Sequence, residues 1–260
     1  MPEVTEPYKP GTPCWIDLMV PDQQAALDFY RDLFGWEGEI GPPGGVGGGY
    51  AMCTKLGRPV AGIGQANDPD AAVGWTTYLA TDDAPATHAA VSAANGTLLT
   101  DVIDVNTLGR MFIAADPAGG VFGVWGRKDF IGAGLVNEPG AVVWNECDSR
   151  DADAASAFLS SVFGVTFTEA EGMGGYQEIR LSGRVVGGLQ QMREPYFTPD
   201  TPSHWNVYFA VDDTDSTVDA AVKRGAAVLL PPTDSPVGRT AVLRDPWGAK
   251  FSLIVPRQPE

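Results

Sequence analysis

Asp22–Gly35 reads DQQAALDFYRDLFG, and Asp151–Gly164 reads DADAASAFLSSVFG, 129 residues further on. In the first, Ala26, Phe29, Tyr30 and Leu33 fall at i, i+3, i+4 and i+7, one apolar face of a helix. In the second, Ala155, Phe158, Leu159 and Val162 do the same. An Asp before each periodic run caps the start, and Gly35 or Gly164 can take the left-handed conformation that ends it. Other segments recur in the same order. Gly57 to Ile63 (GRPVAGI) returns as Gly183 to Leu189 (GRVVGGL), 126 residues on. Gly109-Arg110 with Asp116-Pro117-Ala118-Gly119 returns as Gly238-Arg239 with Asp245-Pro246-Trp247-Gly248, again 129 residues on. The chain is a duplication, each copy close to half its length.

Outward from these helices, each copy holds short strand-like runs. Cys14–Val20 precedes the first helix. Segments at Tyr50–Leu56 and Arg58–Gly64 follow it. The pattern then restarts. Trp75–Thr81 reads as a strand, Asp83–Asn95 as a helix with His88 on its surface, and Thr97–Trp125 as further strands. In copy two the corresponding pieces are Trp205–Val211, a helix over Asp213–Arg224, and strands near Ala226–Leu230, Arg239–Leu243 and Lys250–Val255. Asp-Pro-x-Gly before each last strand is a turn, with Pro presetting φ and Gly permitting φ > 0. The expected class is α+β: four βαβββ modules forming two domains with curled mixed sheets around clefts. Domain one should cover residues 11–127, a Gly/Asn/Pro linker 128–139, and domain two 140–257. Gly41–Gly49 (GPPGGVGGG) reads as a surface loop, or as a lid.

Composition narrows the function. The 260 residues are 44% hydrophobic and 19% charged, with a formal net charge of −16. Such a chain repels phosphate backbones and anionic lipid, so nucleic acid and membrane surfaces are poor partners. No apolar run is long enough to span a bilayer, and Met1–Pro13 lacks the features of a signal peptide. Cys14, Cys53 and Cys147 are odd in number and widely spaced, which argues against disulfides or a zinc site and fits a cytoplasmic protein.

The four modules, the Asp-Pro-x-Gly turn and the helix ending in Phe-Gly resemble the vicinal oxygen chelate superfamily. That superfamily includes glyoxalase I, extradiol dioxygenases, fosfomycin-resistance enzymes and bleomycin-resistance proteins. The resemblance spans roughly residues 11 to 257 and is closest to two-domain actinobacterial glyoxalase-like proteins. It implies a divalent metal held by His or Gln, His and Glu from the first and last strands of paired modules, polarising substrate oxygens. By spacing, the implied first-strand position falls on Trp15 and Trp144, the fifth-strand position on Thr76 and Asn206, and the acid on Gly123 and Ser252. None is a good ligand for the metals the family uses. Only two histidines exist, His88 and His204. No metal ligand and no cofactor is therefore expected, a divalent metal being the disfavoured alternative.

Strand alternation places other side chains in the clefts. If Trp15 faces inward, so do Asp17 and Met19; Trp144 brings Glu146 and Asp148. Asp17 and Glu146 are pseudo-symmetric. A carboxyl inside an apolar strand rises in pKa and suits proton transfer near neutrality, so Glu146, Asp17 and His204 are the catalytic candidates. The plainer account gives the two acids a structural role, bonding a backbone group or Arg110 or Arg239, and makes His204 a rim residue. Thr76 brings Tyr78, and Asn206 brings Tyr208. With Trp15, Trp125 and Trp144 these suit a flat, partly apolar ligand, although core filling explains each one singly. Arg110 and Arg239 either grip an anionic group or tie a loop to a carboxylate.

Three functions stay open. One is metal-independent acid–base catalysis on a flat carbonyl or aromatic metabolite, in secondary metabolism. Another is a non-catalytic protein that sequesters a toxic compound, as bleomycin-resistance proteins do. The last is a metal-dependent lyase or dioxygenase using unorthodox ligands such as Glu146 and His204. The partner is a small molecule, and the chain is a monomer or a homodimer.

Overall fold

Asp22 and Asp151 start the two helices that the sequence marks most clearly. Their carboxylates accept from the amides of Ala25 and Ala154 at 3.1 and 3.0 Å, which satisfies donors that a helix start leaves free. The helices end at Gly35 and Gly164, with φ of 71° and 68°. The computed structural model describes residues 3–42, 48–68 and 72–257. Most of the Gly41–Gly49 loop, and with it the lid expectation, lies outside the described residues.

Copy one runs β1 (Pro13–Val20), α1 (Gln23–Phe34), β2 (Ala51–Lys55), β3 (Arg58–Gln65), β4 (Trp75–Thr81), α2 (Ala84–Ala93), β5 (Thr97–Leu98), β6 (Ile103–Val105), β7 (Gly109–Ala115) and β8 (Val121–Arg127). Copy two runs β9 (Val142–Ser149), α3 (Ala152–Phe163), β10 (Thr166–Glu169), β11 (Gln177–Leu181), β12 (Arg184–Gln191), β13 (His204–Ala210), α4 (Thr214–Lys223), β14 (Ala227–Ser235), β15 (Gly238–Arg244) and β16 (Lys250–Pro256). Among the described residues these form two eight-stranded mixed sheets, neither closed into a barrel. The first is ordered β2-β3-β1-β4-β8-β7-β5 with β6 also on β7; the second is β10-β11-β12-β9-β13-β16-β15-β14. At the middle of each, the first strands of two modules pair antiparallel, β1 with β4 and β9 with β13. No helix among the described residues is long and apolar enough to cross a membrane.

The modules depart from four equal copies in small ways. Where module three has β10, module one keeps a single bridge, Glu37 to Thr54. Strand β14 runs past the expected Leu230 to Ser235, through Pro231 and Pro232, which an edge strand tolerates because one side of its ladder is unpaired. His88 is not on the helix surface as expected. Ala84, His88 and Val91 share the inner face of α2, so the imidazole is half-buried with its edge on Phe112, ring centroids 5.1 Å apart.

The apolar residues that leave the concave faces form two cores, and each joins the copies crosswise. One combines α1 and β1–β3 with α4, β15 and β16: Tyr30, Phe34 and Trp36 meet Phe209, Leu243 and Phe251. The Tyr30 hydroxyl donates to Asp245 of the Asp-Pro-x-Gly turn at 2.9 Å and accepts from the Trp75 indole at 3.2 Å. The other core combines module two with module three, including Phe112, Phe122, Phe158 and Phe163. Residues 128–139, expected as a plain linker, are packed. Leu135 is buried, the Ala133 amide donates to the Cys14 carbonyl, and the Gly134 amide donates to Pro59. Gly132 has φ of 112°, and a Cβ there would run into the Cys14 carbonyl, so only glycine lets the segment lie this close.

Candidate active site

Alternation along β1 sends Ile16, Leu18 and Val20 to the core and Trp15, Asp17 and Met19 to the concave face. On β9 the concave residues are Trp144, Glu146 and Asp148. The central pairing fixes their neighbours. Asp17 stands opposite Thr76 and Trp15 opposite Tyr78; Glu146 stands opposite Asn206, Trp144 opposite Tyr208 and Asp148 opposite His204.

Each sheet builds the same chain of hydrogen bonds around its carboxyl. In copy one the Asp17 carboxylate accepts from the Tyr78 hydroxyl at 2.9 Å and from the Tyr50 hydroxyl at 3.5 Å, and the Trp15 indole donates to Tyr50 at 2.9 Å. In copy two the Glu146 carboxyl accepts from Tyr208 at 3.0 Å and lies within hydrogen-bonding reach of Tyr176, to which the Trp144 indole donates at 2.8 Å. Asp17 and Glu146 are only 7% and 6% exposed. Burial pushes the Asp17 carboxyl up to about 7, against the pull of the hydroxyls of Tyr78, Thr76 and Tyr50. Burial also raises Glu146, and the neighbouring Asp148 charge adds to it. The four phenols are pushed above their ordinary range by burial first and by these carboxylates next. A phenol that holds its proton can only donate to the carboxylate, so each cluster has a defined sense.

Tyr50 and Tyr176 were missed from sequence: Tyr50 was read as the start of a strand over Tyr50–Leu56, whereas both stand just ahead of their strands, β2 and β11, and reach the carboxyls from the loop. The signal was a repeat: Gly48-Gly49-Tyr50 returns as Gly174-Gly175-Tyr176, 126 residues on. Gly62 and Gly188 explain how they fit. A Cβ on either would overlap the hydroxyl of Tyr50 or Tyr176, so glycine opens the path from loop to carboxyl.

Beyond this shared part the two clefts differ. Met19, Gly74, Thr76, Val121 and Gly123 in copy one correspond to Asp148, His204, Asn206, Lys250 and Ser252 in copy two. Cleft one is filled by the chain itself. The Phe130 ring meets Trp15 and Trp125 edge-on, centroids 4.9 and 5.8 Å apart, and its carbonyl accepts from the Trp125 indole at 2.8 Å. Cleft two carries charge instead. Lys250 Nζ and His204 Nε2 each lie 3.2 Å from Asp148 Oδ2, and 3.0 Å from one another. Since the Pro202 carbonyl beside His204 Nδ1, at 2.9 Å, can only accept, Nδ1 carries a proton. The Asn206 amide donates to Ser252 Oγ at 2.9 Å. Phe197 lies under Lys250, whose Nζ is 5.3 Å from the ring centroid.

Arg110 and Arg239 are not brought to either carboxyl. Both are on the surface, Arg110 paired with Asp104 and Arg239 with Asp215 and Asp234. A cavity of about 550 Å3 lies between the copies, lined in part by Tyr8, Val142 and Arg184; it includes neither Asp17 nor Glu146. The residues at the implied metal positions do not fit a metal. Trp15 and Trp144 spend their indoles on tyrosines, Gly123 has no donor, and Asn206 and Ser252 bond each other. His204 Nε2 faces the Lys250 ammonium, which repels a cation. Among the described residues no group of three or more His, Cys, Asp or Glu is placed to hold one.

Comparison with known proteins agrees with the two-domain fold. The glyoxalase/bleomycin resistance protein/dioxygenase superfamily profile matches residues 14–123, and that of the glyoxalase-like domain matches residues 144–254. CFP32 of Mycobacterium tuberculosis, named a candidate glyoxylase, is 42% identical over 263 residues, covering 98% of each chain. The anthracycline biosynthesis protein DnrV of Streptomyces peucetius is 36% identical over 266 residues, covering 96% of this chain and 95% of that one. Two solved structures share the fold at lower identity. The Mn(II)-bound glyoxalase from Novosphingobium aromaticivorans matches with a TM-score of 0.62 at 17% identity, over 94% of this chain and 82% of that one. The 2,3-dioxygenase LapB from Pseudomonas sp. KL28 matches with 0.64 at 15%, over 98% and 95%.

Proposed function

The chain belongs to the glyoxalase/bleomycin resistance protein/dioxygenase superfamily, and from the residues that line its clefts we propose that it performs metal-independent acid–base chemistry on a flat carbonyl-bearing or aromatic small molecule, with Glu146 as the proton carrier. One observation carries the reading. At the centre of each concave sheet, where the family's metal chemistry is performed, stands a buried carboxyl held by two phenols. Burial raises that carboxyl toward neutrality, the range in which a general acid or base is most effective. The aromatic lining and the name of DnrV both suit a planar polycyclic compound; the name of CFP32 suits an adduct of an α-oxoaldehyde. Asp17 sits in the equivalent place in cleft one.

The test is a turnover screen with 1,8-dihydroxyanthraquinone and with methylglyoxal plus a thiol, run with a chelator present. Glu146→Gln should lower turnover at least about a hundredfold while binding changes less than threefold. Turnover that survives the substitution, or that vanishes with chelator and returns with added metal, sinks the reading.

A second reading has its own support. Glu146 and Asp17 are sealed so well by phenols that the cleft also suits a protein that holds an aromatic compound without transforming it. Tight binding of the anthraquinone with no product, lost in Trp144→Ala, is the outcome that selects it.

A further inference from the structure

Two buried acceptor atoms in cleft two have no partner: Asp148 Oδ1 and Asn206 Oδ1. Both flank Glu146. Asn206 is its cross-strand neighbour, and Asp148 is the next residue on the same face of β9. Leaving such an atom unpaired is costly, so a donor at this place stabilises the fold. Asp148 is 1% exposed, yet its other oxygen is held by the Lys250 ammonium and by His204, each at 3.2 Å. A buried carboxylate with a half-buried cation beside it stays charged. Glu146 has no cation beside it and two phenols that already donate to it. A protonated Glu146, within hydrogen-bonding reach of Asp148, can supply the missing donor to Asp148 Oδ1 without a new atom entering the site.

We propose that Glu146 and Asp148 work as one unit, a carboxylic acid and a carboxylate sharing a single proton, with Lys250 and His204 keeping the charge on the Asp148 side. Cleft one has no such unit, since Met19, Gly74 and Val121 stand where Asp148, His204 and Lys250 stand in cleft two. The proton chemistry of the preceding section therefore belongs to copy two, with Asp148 the partner of Glu146 and with Lys250 and His204 as positioning residues.

The directions of titration agree with the geometry. Burial and the Asp148 charge raise Glu146. Burial alone would raise Asp148 as well, but His204 and Lys250 outweigh it and hold Asp148 below its ordinary value. The titratable groups facing Glu146 are Asp148 from its own strand, Tyr208 from β13 and Tyr176 from the loop before β11; His204 from β13 and Lys250 from β16 face the far oxygen of Asp148. Two carboxyls whose surroundings drive their pKa values apart are the arrangement that separates an acid from a base.

Carbon-13 NMR of the whole chain, labelled at the Asp and Glu carboxyl carbons, tests this without any substrate. One glutamate signal, absent from Glu146→Gln, should titrate above neutral pH. In Asp148→Asn its midpoint should fall by about one pH unit, because the neighbouring charge is gone, while the Asp17 signal stays in place. In Lys250→Met the midpoints of Glu146 and Asp148 should both rise; this variant decides the matter if Asp148→Asn does not fold. A Glu146 signal that titrates with the surface glutamates, or a midpoint unmoved by both substitutions, overturns the pair. That failure is separate from failure of the proposed reaction, which is read by turnover of Glu146→Gln alone.

Discussion

Asp17 shows how a single residue ties pH to stability. Its ordinary pKa of 3.8 becomes about 7 in the folded chain, chiefly through burial. Between these values the folded state keeps a proton that the unfolded state has lost. The contribution of Asp17 is therefore undiminished below about pH 4 and falls as pH rises toward 7, by at most about 4 kcal/mol. Asp17→Asn removes the titration and can still accept from Tyr78. Urea unfolding at pH 5 and pH 8 should show wild type losing stability between the two and the variant losing clearly less. Equal losses would mean that Asp17 titrates normally. At this scale the sequence was informative where strand alternation governs, as with Trp15, Asp17, Glu146, Tyr78 and Tyr208. It was silent where a side chain arrives from a loop, as Tyr50 and Tyr176 do, or where an exposed cation turns inward, as Lys250 does. Arg110 and Arg239 could be placed near a matching Gly but not given a partner, since Asp104, Asp215 and Asp234 come from neighbouring segments that pairing alone brings close.

Among the elements, the segment joining the copies departs furthest from its composition. Gly, Asn and Pro suggest a loose connection, yet Gly132 and Gly134 are there because the backbone must pass against Cys14 and Pro59. That passage delivers Phe130 to Trp15 and Trp125. The helices were legible to within a residue or two, because caps and αL glycines are local; the packing of a connection is not, because it depends on which surface the chain happens to cross. Phe130→Ala should leave a void between the two indoles and cost about 2 kcal/mol, toward the low end for a large-to-small change because the ring is only half-buried. Urea unfolding measures the loss, and saturating indole should restore part of it by filling the void. No loss would show that Phe130 merely rests on the sheet.

For the whole molecule, each sheet belongs to one copy, but the two cores outside the concave faces belong to both. Residues such as Tyr30 and Asp245, 215 positions apart, bond each other, and no periodicity within one copy announces that. The duplication was legible; the crosswise sharing was not. Either copy expressed alone, cut in residues 128–139, would expose half of two cores and should fail to give the sharp, cooperative unfolding expected of a folded domain. Mixing the two separately expressed copies should restore it. An isolated copy that melts cooperatively would refute this account of the cores.

The four modules thus close on themselves. Module one meets module two through a sheet, two meets three through a core, three meets four through a sheet, and four returns to one through a core. In a linear array of repeats the terminal unit has one neighbour and frays first. A ring has no terminal unit. Every module must break two interfaces to leave, so the molecule lacks a weak end from which to come apart, and each copy holds the other folded.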